Sequence, residues 1–213
     1  MFSLEVLTKS QEQYDLLVPK NGNVNDIITD LIKKARLDDE AKAGPIRIYE
    51  THSNKIYKEL PRDHAVLAIN EYVQLIAERI PEEDRGDVDD LDFIHAFHFQ
   101  NEPAKSHGMP FKFRVIKDEK FSDTKKRLEK RTGMKGKNFE KIKFAVVKRS
   151  SYSKPTYLTD GMFPTYLRPT RIWLTITDDE LYSVASQDDD LLGLDHLDRT
   201  RTIRNGAGDL FLR

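Results

Sequence analysis

Cysteine is absent from the 213-residue sequence, which excludes disulfides, thiolate metal sites and thiol catalysis within the chain. The absence fits a reducing compartment, so we expect the protein in the cytoplasm or the nucleus. No apolar run approaches the roughly 18–20 residues that cross a bilayer, and no membrane partner is expected. Gly-x-Ser-x-Gly elbows and phosphate-binding glycine loops are also missing. We therefore expect no catalytic site and no cofactor.

Charge is distributed unevenly along the chain, although the formal net charge is only −1. Residues 82–92 hold seven acids against Arg85, and this stretch follows Pro81. Like charges repel and extend a chain, so the acidic stretch predicts a linker between two domains. Residues 112–149 are the opposite, with fifteen Lys or Arg against five acids, a local charge of +10.

The first half of the sequence predicts the element order ββαββ with a last strand after it. Residues 2–7 and 13–18 are strand-like, and apolar residues from Val24 to Ala35 recur at helical spacing behind Asn23 as a plausible N-cap. Gly44-Pro45 ends that helix. Strands follow on both sides of a turn at Ser53-Asn54-Lys55, and the last strand lies between Val73 and Ile80.

The second half repeats this order. Residues 93–99 and 110–115 are predicted strands, residues 121–132 a helix with Ser122 as N-cap and Gly133 as terminator, and residues 144–148 a strand. One helix across a mixed sheet in this order is the β-grasp arrangement. The predicted fold class is thus α+β, with two tandem β-grasp domains. Their predicted bounds are 1–84 and 91–198, with an acidic linker at 85–90, an insertion at 150–191 containing one extra strand near Ile172–Ile176, and a tail at 199–213.

The histidines do not predict a metal site. His95 and His98 are three residues apart, and on a strand such positions point to opposite faces. His52, His64, His107 and His196 have no partner at ligand spacing. We therefore predict ordinary sheet histidines.

The basic stretch favours a binding surface. Gly133-Met134-Lys135-Gly136 superficially matches the Gly-x-x-Gly loop with which KH domains clamp a nucleic-acid backbone, but Gly133 already serves as helix terminator. A basic patch that docks on an acidic protein explains the same residues equally well, and nucleic acid is not the expected partner. The candidate patch consists of Lys125, Lys126, Arg127, Lys130, Arg131, Lys135 and Lys137.

Four segments of the second half carry a resemblance. They are His98-Phe99 with Gly108-Met109-Pro110-Phe111, the apolar and basic run at 139–147, Leu192-Gly193-Leu194-Asp195-His196, and the apolar tail. In this order they are similar to the C-terminal region of ubiquitin-specific proteases of the herpesvirus-associated (HAUSP) type, including fungal relatives. The similarity is specific over 93–147 and 192–196 and architectural over 1–90, whereas the predicted insertion departs from the family.

The resemblance implies a parent enzyme with a cysteine protease domain that cleaves ubiquitin, followed by ubiquitin-like domains of which this chain holds the last two. It also implies that the pair and its tail fold back on the catalytic domain and favour its active conformation. The implied contact residues are Leu210, Phe211 and Leu212; the leucines keep the family's apolar spacing, and Phe211 departs from it.

We therefore predict a non-catalytic regulatory module of a deubiquitinase. Its expected partner is the catalytic domain of the same parent, and other regulatory proteins are a second class of expected partner. The alternative is a module that binds nucleic acid or an acidic protein through its basic helix.

Overall fold

The structure is a computed structural model that describes residues 2–8, 12–70, 72–85, 92–116, 119–149, 154–158, 163–166, 173–176 and 190–198. Its contacts divide the chain into two units, Met1–Leu91 and Asp92–Arg213. Each unit contains a five-stranded mixed sheet and few helices, which confirms the predicted α+β class. No helix among the described residues is both long and apolar enough to cross a membrane.

Unit 1 has the strand order β2-β1-β5-β3-β4. β1 and β5 run parallel, and the other neighbours are antiparallel. Short 3-10 turns lie at Val66–Ala68 and Glu82–Asp84. The elements along the chain are β1 (Phe2–Thr8), β2 (Gln13–Val18), α1 (Val24–Lys34), α2 (Glu40–Ala43), β3 (Ile46–His52), β4 (Lys55–Leu60) and β5 (Gln74–Arg79).

Helix α1 begins where the sequence predicts it. The Asn23 side chain accepts a hydrogen bond from the Asp26 amide at 3.3 Å, and the Asp26 carboxylate accepts one from the Asn23 amide at 2.9 Å. This reciprocal capping box pairs two amides that would otherwise lack partners at the helix start. Val24, Ile27, Ile28 and Leu31 are buried on one face of α1 and form the core of unit 1 with the sheet.

The start of the acidic stretch belongs to unit 1 and is not an extended linker. Asp84 is 8% exposed and forms an ion pair with Arg47 at 3.4 Å. Arg47 is bonded to Glu78 at 2.9 Å, and Glu78 also accepts a hydrogen bond from the Tyr49 hydroxyl. Burial alone would lower the pKa of Arg47, but its neighbours Tyr49 and Glu78 raise it. The predicted linker at 85–90 lies, beyond Arg85, outside the described residues.

Unit 2 repeats this topology with the strand order β7-β6-β12-β8-β9. β12 runs parallel to β6 and antiparallel to β8, as β5 does to β1 and β3. β10 and β11 form a separate antiparallel pair. The elements are β6 (Asp92–Gln100), β7 (Glu102–Val115), α3 (Phe121–Thr132), α4 (Lys137–Glu140), β8 (Lys143–Lys148), β9 (Thr156–Leu158), β10 (Phe163–Tyr166), β11 (Trp173–Ile176) and β12 (Asp190–Asp195).

Two predictions for unit 2 need correction. One extra strand is predicted within 150–191, whereas the described parts of that range hold Thr156–Leu158, which pairs with β8 as the edge strand of the main sheet, and the pair β10 and β11. The predicted N-cap Ser122 is wrong, because α3 follows Lys120 as N-cap without a side-chain cap bond. The predicted terminator is confirmed, since Gly133 has a φ of 71° in the left-handed region.

The sheet of unit 2 is apolar on both faces. Alternate residues of a strand point to opposite faces, and the face toward α3 carries Ile94, Phe144, Leu192 and Leu194. The opposite face carries a second buried cluster of Phe97, Phe99, Ala145, Val147 and Leu191. β12 therefore lies between two packed layers.

Candidate functional site

The segment Leu192–His196, singled out by the sequence, comprises the last four residues of β12 and the residue after it. Leu192 and Leu194 are fully buried in the core toward α3. Gly193 points to the other face, where a Cβ atom would lie 2.6 Å from Phe99 Cε1 and 3.2 Å from Val147 Cγ2. Only glycine fits there without movement of Phe99, so the first three residues of the segment serve packing.

Asp195 connects three parts of unit 2. It is 8% exposed, and its Oδ1 accepts a hydrogen bond of 2.7 Å from the backbone amide of Asn101, in the turn between β6 and β7. Its Oδ2 accepts one of 2.7 Å from the hydroxyl of Tyr157 on β9. Burial and this hydrogen bond raise the pKa of Tyr157 to about 12. Asn101 has a φ of 62°, and its bond to Asp195 helps to hold that left-handed turn.

His196 belongs to a cluster of three histidines. His98 Nδ1 lies 2.8 Å from His196 Nε2, and His107 Nε2 lies 3.1 Å from the His196 carbonyl oxygen. The rings of His107 and His196 meet edge to face with centroids 4.7 Å apart. The pKa of His98 is lowered to about 3, first by burial and then by the neighbouring His196 and His107. The spacing of His107 and His196 in the sequence gives no sign of this contact.

The histidine cluster depends on strand register, which cannot be read from the sequence. His98 and His107 are register partners across the β6–β7 hairpin. β12 runs parallel to β6, and this places His196, the residue after β12, beside them. The only sequence signal for the cluster would have been a recognisable hairpin with histidines at the paired positions 98 and 107. His95 has a different neighbour, Arg149, at 3.0 Å. Among the described residues, no group of three or more His, Asp or Glu side chains has a geometry that could hold a metal ion.

The two arginines of the predicted basic patch have structural contacts. The Arg127 guanidinium donates to Glu119 at 2.8 and 2.6 Å and to the Arg114 carbonyl at 3.0 Å, over the ring of Phe113. Arg131 is buried, lies over Phe111 and donates to the carbonyl of Lys112 at 3.3 Å. Both arginines hold α3 against β7.

The lysines of the patch face outward to different degrees. Lys125 is half-buried over the ring of Phe121, and Lys126 is exposed and paired with Asp123 at 2.8 Å. Lys130, Lys135 and Lys137 are exposed around the loop from Gly133 to Gly136. The structure thus separates the predicted patch into an inner pair of arginines and an exposed surface of lysines, here called the lysine surface.

The predicted tail contacts Leu210, Phe211 and Leu212 lie outside the described residues. The last described segment, 196–198, is held beside the end of β6. The His196 amide donates to the Phe99 carbonyl at 2.9 Å, and the Asp198 amide donates to the Gln100 side chain at 3.2 Å. Residues 199–213 therefore follow a fixed point on unit 2.

Comparisons with known proteins agree with the sequence resemblance. Residues 2–201 match the family described as "Ubiquitin-specific protease C-terminal". The chain is 33% identical over 189 residues to ubiquitin carboxyl-terminal hydrolase 15 of Schizosaccharomyces pombe, covering 87% of this chain and 15% of that protein. It is 30% identical over 193 residues to ubiquitin C-terminal hydrolase 13 of Arabidopsis thaliana, covering 87% of this chain and 16% of that protein.

The chain thus spans about one sixth of the length of the relatives that it matches. It has no cysteine, whereas its relatives are named as ubiquitin hydrolases. The match over nearly the whole chain, with its motif residues at the end of β12, identifies the chain as a member of the ubiquitin-specific protease C-terminal family.

Proposed function

We propose that the chain is the non-catalytic regulatory module of a ubiquitin-specific cysteine protease, built from two ubiquitin-like β-grasp domains at 1–84 and 91–198. The observation that carries this proposal is that a chain without cysteine matches the C-terminal family over residues 2–201. The thiol nucleophile of such a parent would lie in another domain. The common strand order of the two sheets, with one long helix in each unit, supports the β-grasp assignment.

The proposed mechanism uses residues 199–213 as a tethered ligand of the catalytic domain. Burying Leu210, Phe211 and Leu212 would contribute roughly 1.5–3 kcal/mol each. Ordering the backbone opposes this by roughly 1–2 kcal/mol per residue, so the free peptide should bind weakly. A tether raises the local concentration to the millimolar range and allows a weak site to be occupied within one molecule.

Activation also requires selectivity for one conformation. A ligand shifts a conformational equilibrium only by the difference between its affinities for the two states. The tail must therefore contact the active catalytic domain better than the inactive one. The bonds that fix residues 196–198 to unit 2 support this mechanism, because they define where the tether starts.

The test is the double variant Leu210→Ala with Leu212→Ala in the full-length parent. We expect the rate of ubiquitin release to fall by about tenfold, because even ~1.4 kcal/mol of lost differential affinity changes the active population by that factor. Thr202→Ala with Asn205→Ala, in the same tail, is the matched control and should leave the rate unchanged. An unchanged rate in the leucine variant would remove the tail from the mechanism.

A reconstitution separates activation from folding. The chain added in trans to the isolated protease domain should stimulate ubiquitin release only at high concentration, because the tether is missing. Circular dichroism of the leucine variant should match the parent chain. Strong stimulation at nanomolar concentration would mean that an extended surface, and not the tail, supplies the affinity.

A second proposed function is that the lysine surface docks on an acidic protein. The arginines, which suit bidentate phosphate contacts, are engaged by Glu119 and backbone carbonyls. In the described part of unit 2 the exposed large apolar side chains are Ile116 and Leu197, so no exposed aromatic ring is available for base stacking. Both observations favour a protein partner over nucleic acid.

Titration of the chain with single-stranded RNA and duplex DNA at physiological salt tests this choice. We expect no sub-micromolar binding. If the surface did serve nucleic acid, affinity would fall steeply with salt, and Lys135→Glu with Lys137→Glu would abolish it. Such a result would replace the acidic-protein hypothesis. The lack of cysteine supports our further proposal that the parent acts in the cytoplasm or nucleus.

A further inference from the structure

We propose that His98, His107 and His196 form a proton-sensitive latch that holds the end of β12 and the segment 196–198 against β6 and β7. The three residues are far apart in the sequence and meet at one corner of the sheet. The latch itself is a property of this chain; its effect on a protease rests on the proposed function.

The hydrogen bonds of the cluster fix the position of each proton. His196 Nδ1 lies 3.1 Å from the Leu197 carbonyl oxygen, which can only accept, so Nδ1 carries the proton. In neutral His196 the Nε2 atom then has a lone pair and accepts from His98 Nδ1–H at 2.8 Å. His107 Nε2 must likewise donate to the His196 carbonyl. The closed latch therefore requires a neutral His196.

Protonation removes or reverses the central bond of this arrangement. A second proton on His196 would occupy Nε2, 2.8 Å from His98 Nδ1, so that two N–H groups face each other or His98 must shift its own proton from Nδ1 to Nε2. A proton on His98 Nε2 would place a charge in a largely apolar site, beside the ring of Phe111 with centroids 5.8 Å apart. Either event weakens the contact between β6 and the segment after β12.

The titratable groups around the latch lie on β7 and at the end of β12. The titratable groups whose charges act on His98 are His196, after β12, and His107, on β7. Both would be positive when protonated. The nearby Asp195 carboxylate already accepts from the Asn101 amide and the Tyr157 hydroxyl. Asp198 is buried two residues further along, with its amide on Gln100.

The sign of the pH dependence follows from His98. Burial, with help from His196 and His107, lowers the pKa of folded His98 to about 3, below the value of about 6.5 for an unfolded histidine. The folded latch thus binds fewer protons than the opened one. The latch is most stable above about pH 6.5, and its stability declines as the pH falls from there toward 3. For each proton bound on opening, the opening equilibrium constant rises by up to about tenfold per pH unit.

Amide hydrogen exchange on this chain, followed by NMR, tests the latch. After correction for intrinsic exchange, protection of the amides of Leu191–Asp195 should fall by about fivefold between pH 6.5 and pH 5.5, the change expected for one proton on a group with an unfolded pKa of about 6.5. Amides of β3 in unit 1 should keep their protection. Constant protection of β12 over this range would overturn the proposal.

Two variants replace a titratable imidazole with an amide that can still form the hydrogen bond between positions 98 and 196. His98→Asn places an amide N–H near the position of Nδ1, and His196→Gln places an amide oxygen near that of Nε2. Each should flatten the pH dependence of β12 protection, whereas His52→Gln, a histidine of β3, should retain the wild-type dependence. A His98→Asn chain with the wild-type slope would overturn the proposal.

A measurement on the wild-type chain keeps the test valid if a variant misfolds. Nitrogen-15 shifts of the imidazoles report which ring nitrogen carries the proton. We expect Nδ1–H on both His98 and His196 at pH 7.5. A protonated Nε2 on neutral His196 would refute the latch. Because these experiments use no protease, they stand even if the tail variant of the parent retains full activity.

Discussion

Replacing Gly193 with alanine tests the packing argument for the end of β12. A Cβ atom at this position would lie 2.6 Å from Phe99 Cε1 and 3.2 Å from Phe99 Cδ1 and Val147 Cγ2. Ordinary contacts between carbon atoms are about 3.5–4.0 Å. The Phe99 ring must therefore move. It is fully buried and stacked on Phe97 with centroids 5.5 Å apart, so its movement disturbs a second ring.

Two effects of opposite sign set the size of the loss. Overpacking a core by one methyl group costs about 1–3 kcal/mol. Removing a glycine from a strand returns about 0.5–1 kcal/mol, because alanine loses less backbone freedom on folding. We expect Gly193→Ala to lower the free energy of unfolding of unit 2 by about 0.5–2 kcal/mol. Gly193→Val adds two more methyl groups and should cost more.

Urea unfolding is the appropriate assay, followed by far-UV circular dichroism and by NMR amide signals from β12. The NMR signals are needed because two units need not unfold in one transition. Ser122→Ala, at an exposed position of α3, is the control and should change stability by less than about 0.5 kcal/mol. Signals from unit 1 should keep their midpoint in all variants.

A size-compensating pair gives the sharpest check. Phe99→Leu alone should destabilise unit 2 by leaving a cavity, but it also removes the atoms that a Cβ at position 193 would meet. The double variant should therefore be more stable than the sum of the single effects implies, by at least about 0.5 kcal/mol. Strict additivity, or a Gly193→Ala chain as stable as the wild type, would refute the packing argument.

Three further predictions follow from the polar contacts. Arg47→Met should destabilise unit 1 by about 3–5 kcal/mol in urea unfolding, because it leaves Glu78 and Asp84 buried without their cation; recovery in Arg47→Met with Glu78→Leu is the check. Tyr157→Phe should destabilise unit 2 by about 1–3 kcal/mol, because Asp195 Oδ2 loses its donor, and a loss below 0.3 kcal/mol would contradict this. An acid-specific protease should cut first within residues 86–91, because the chain up to Arg85 is tied to unit 1 by bonds from Arg85 to the Ala43 and Ile80 carbonyls. First cleavage after Glu50 would contradict a linker at 86–91.

Local signals in the sequence predicted local structure well. The bounds of α3, the N-cap at Asn23 and the terminator Gly133 depend on residues within one or two helical turns. Ser122 is not the cap because α3 already begins at Phe121, so Ser122 lies inside the first turn of the helix.

Long-range contacts were beyond the sequence. β9 has only three residues, and its place in the sheet depends on pairing with β8, which no local pattern reports. The histidine cluster needs the register of β6 with β7 and the parallel entry of β12. The charge count over residues 112–149 also gave no side-chain direction, so Arg127 and Arg131 seemed equivalent to the exposed lysines.

Asp195 and His196, the two motif residues of a type found in catalytic sites, form hydrogen bonds that hold the sheet of unit 2 together. Both oxygens of Asp195 accept hydrogen bonds, from the Asn101 amide and the Tyr157 hydroxyl. His196 Nδ1 faces the Leu197 carbonyl, and its Nε2 faces His98. A general base needs a lone pair that can reach a substrate, and both ring nitrogens of His196 are engaged in this arrangement. The motif at 192–196 therefore packs the sheet of unit 2 and fixes residues 196–198 against β6.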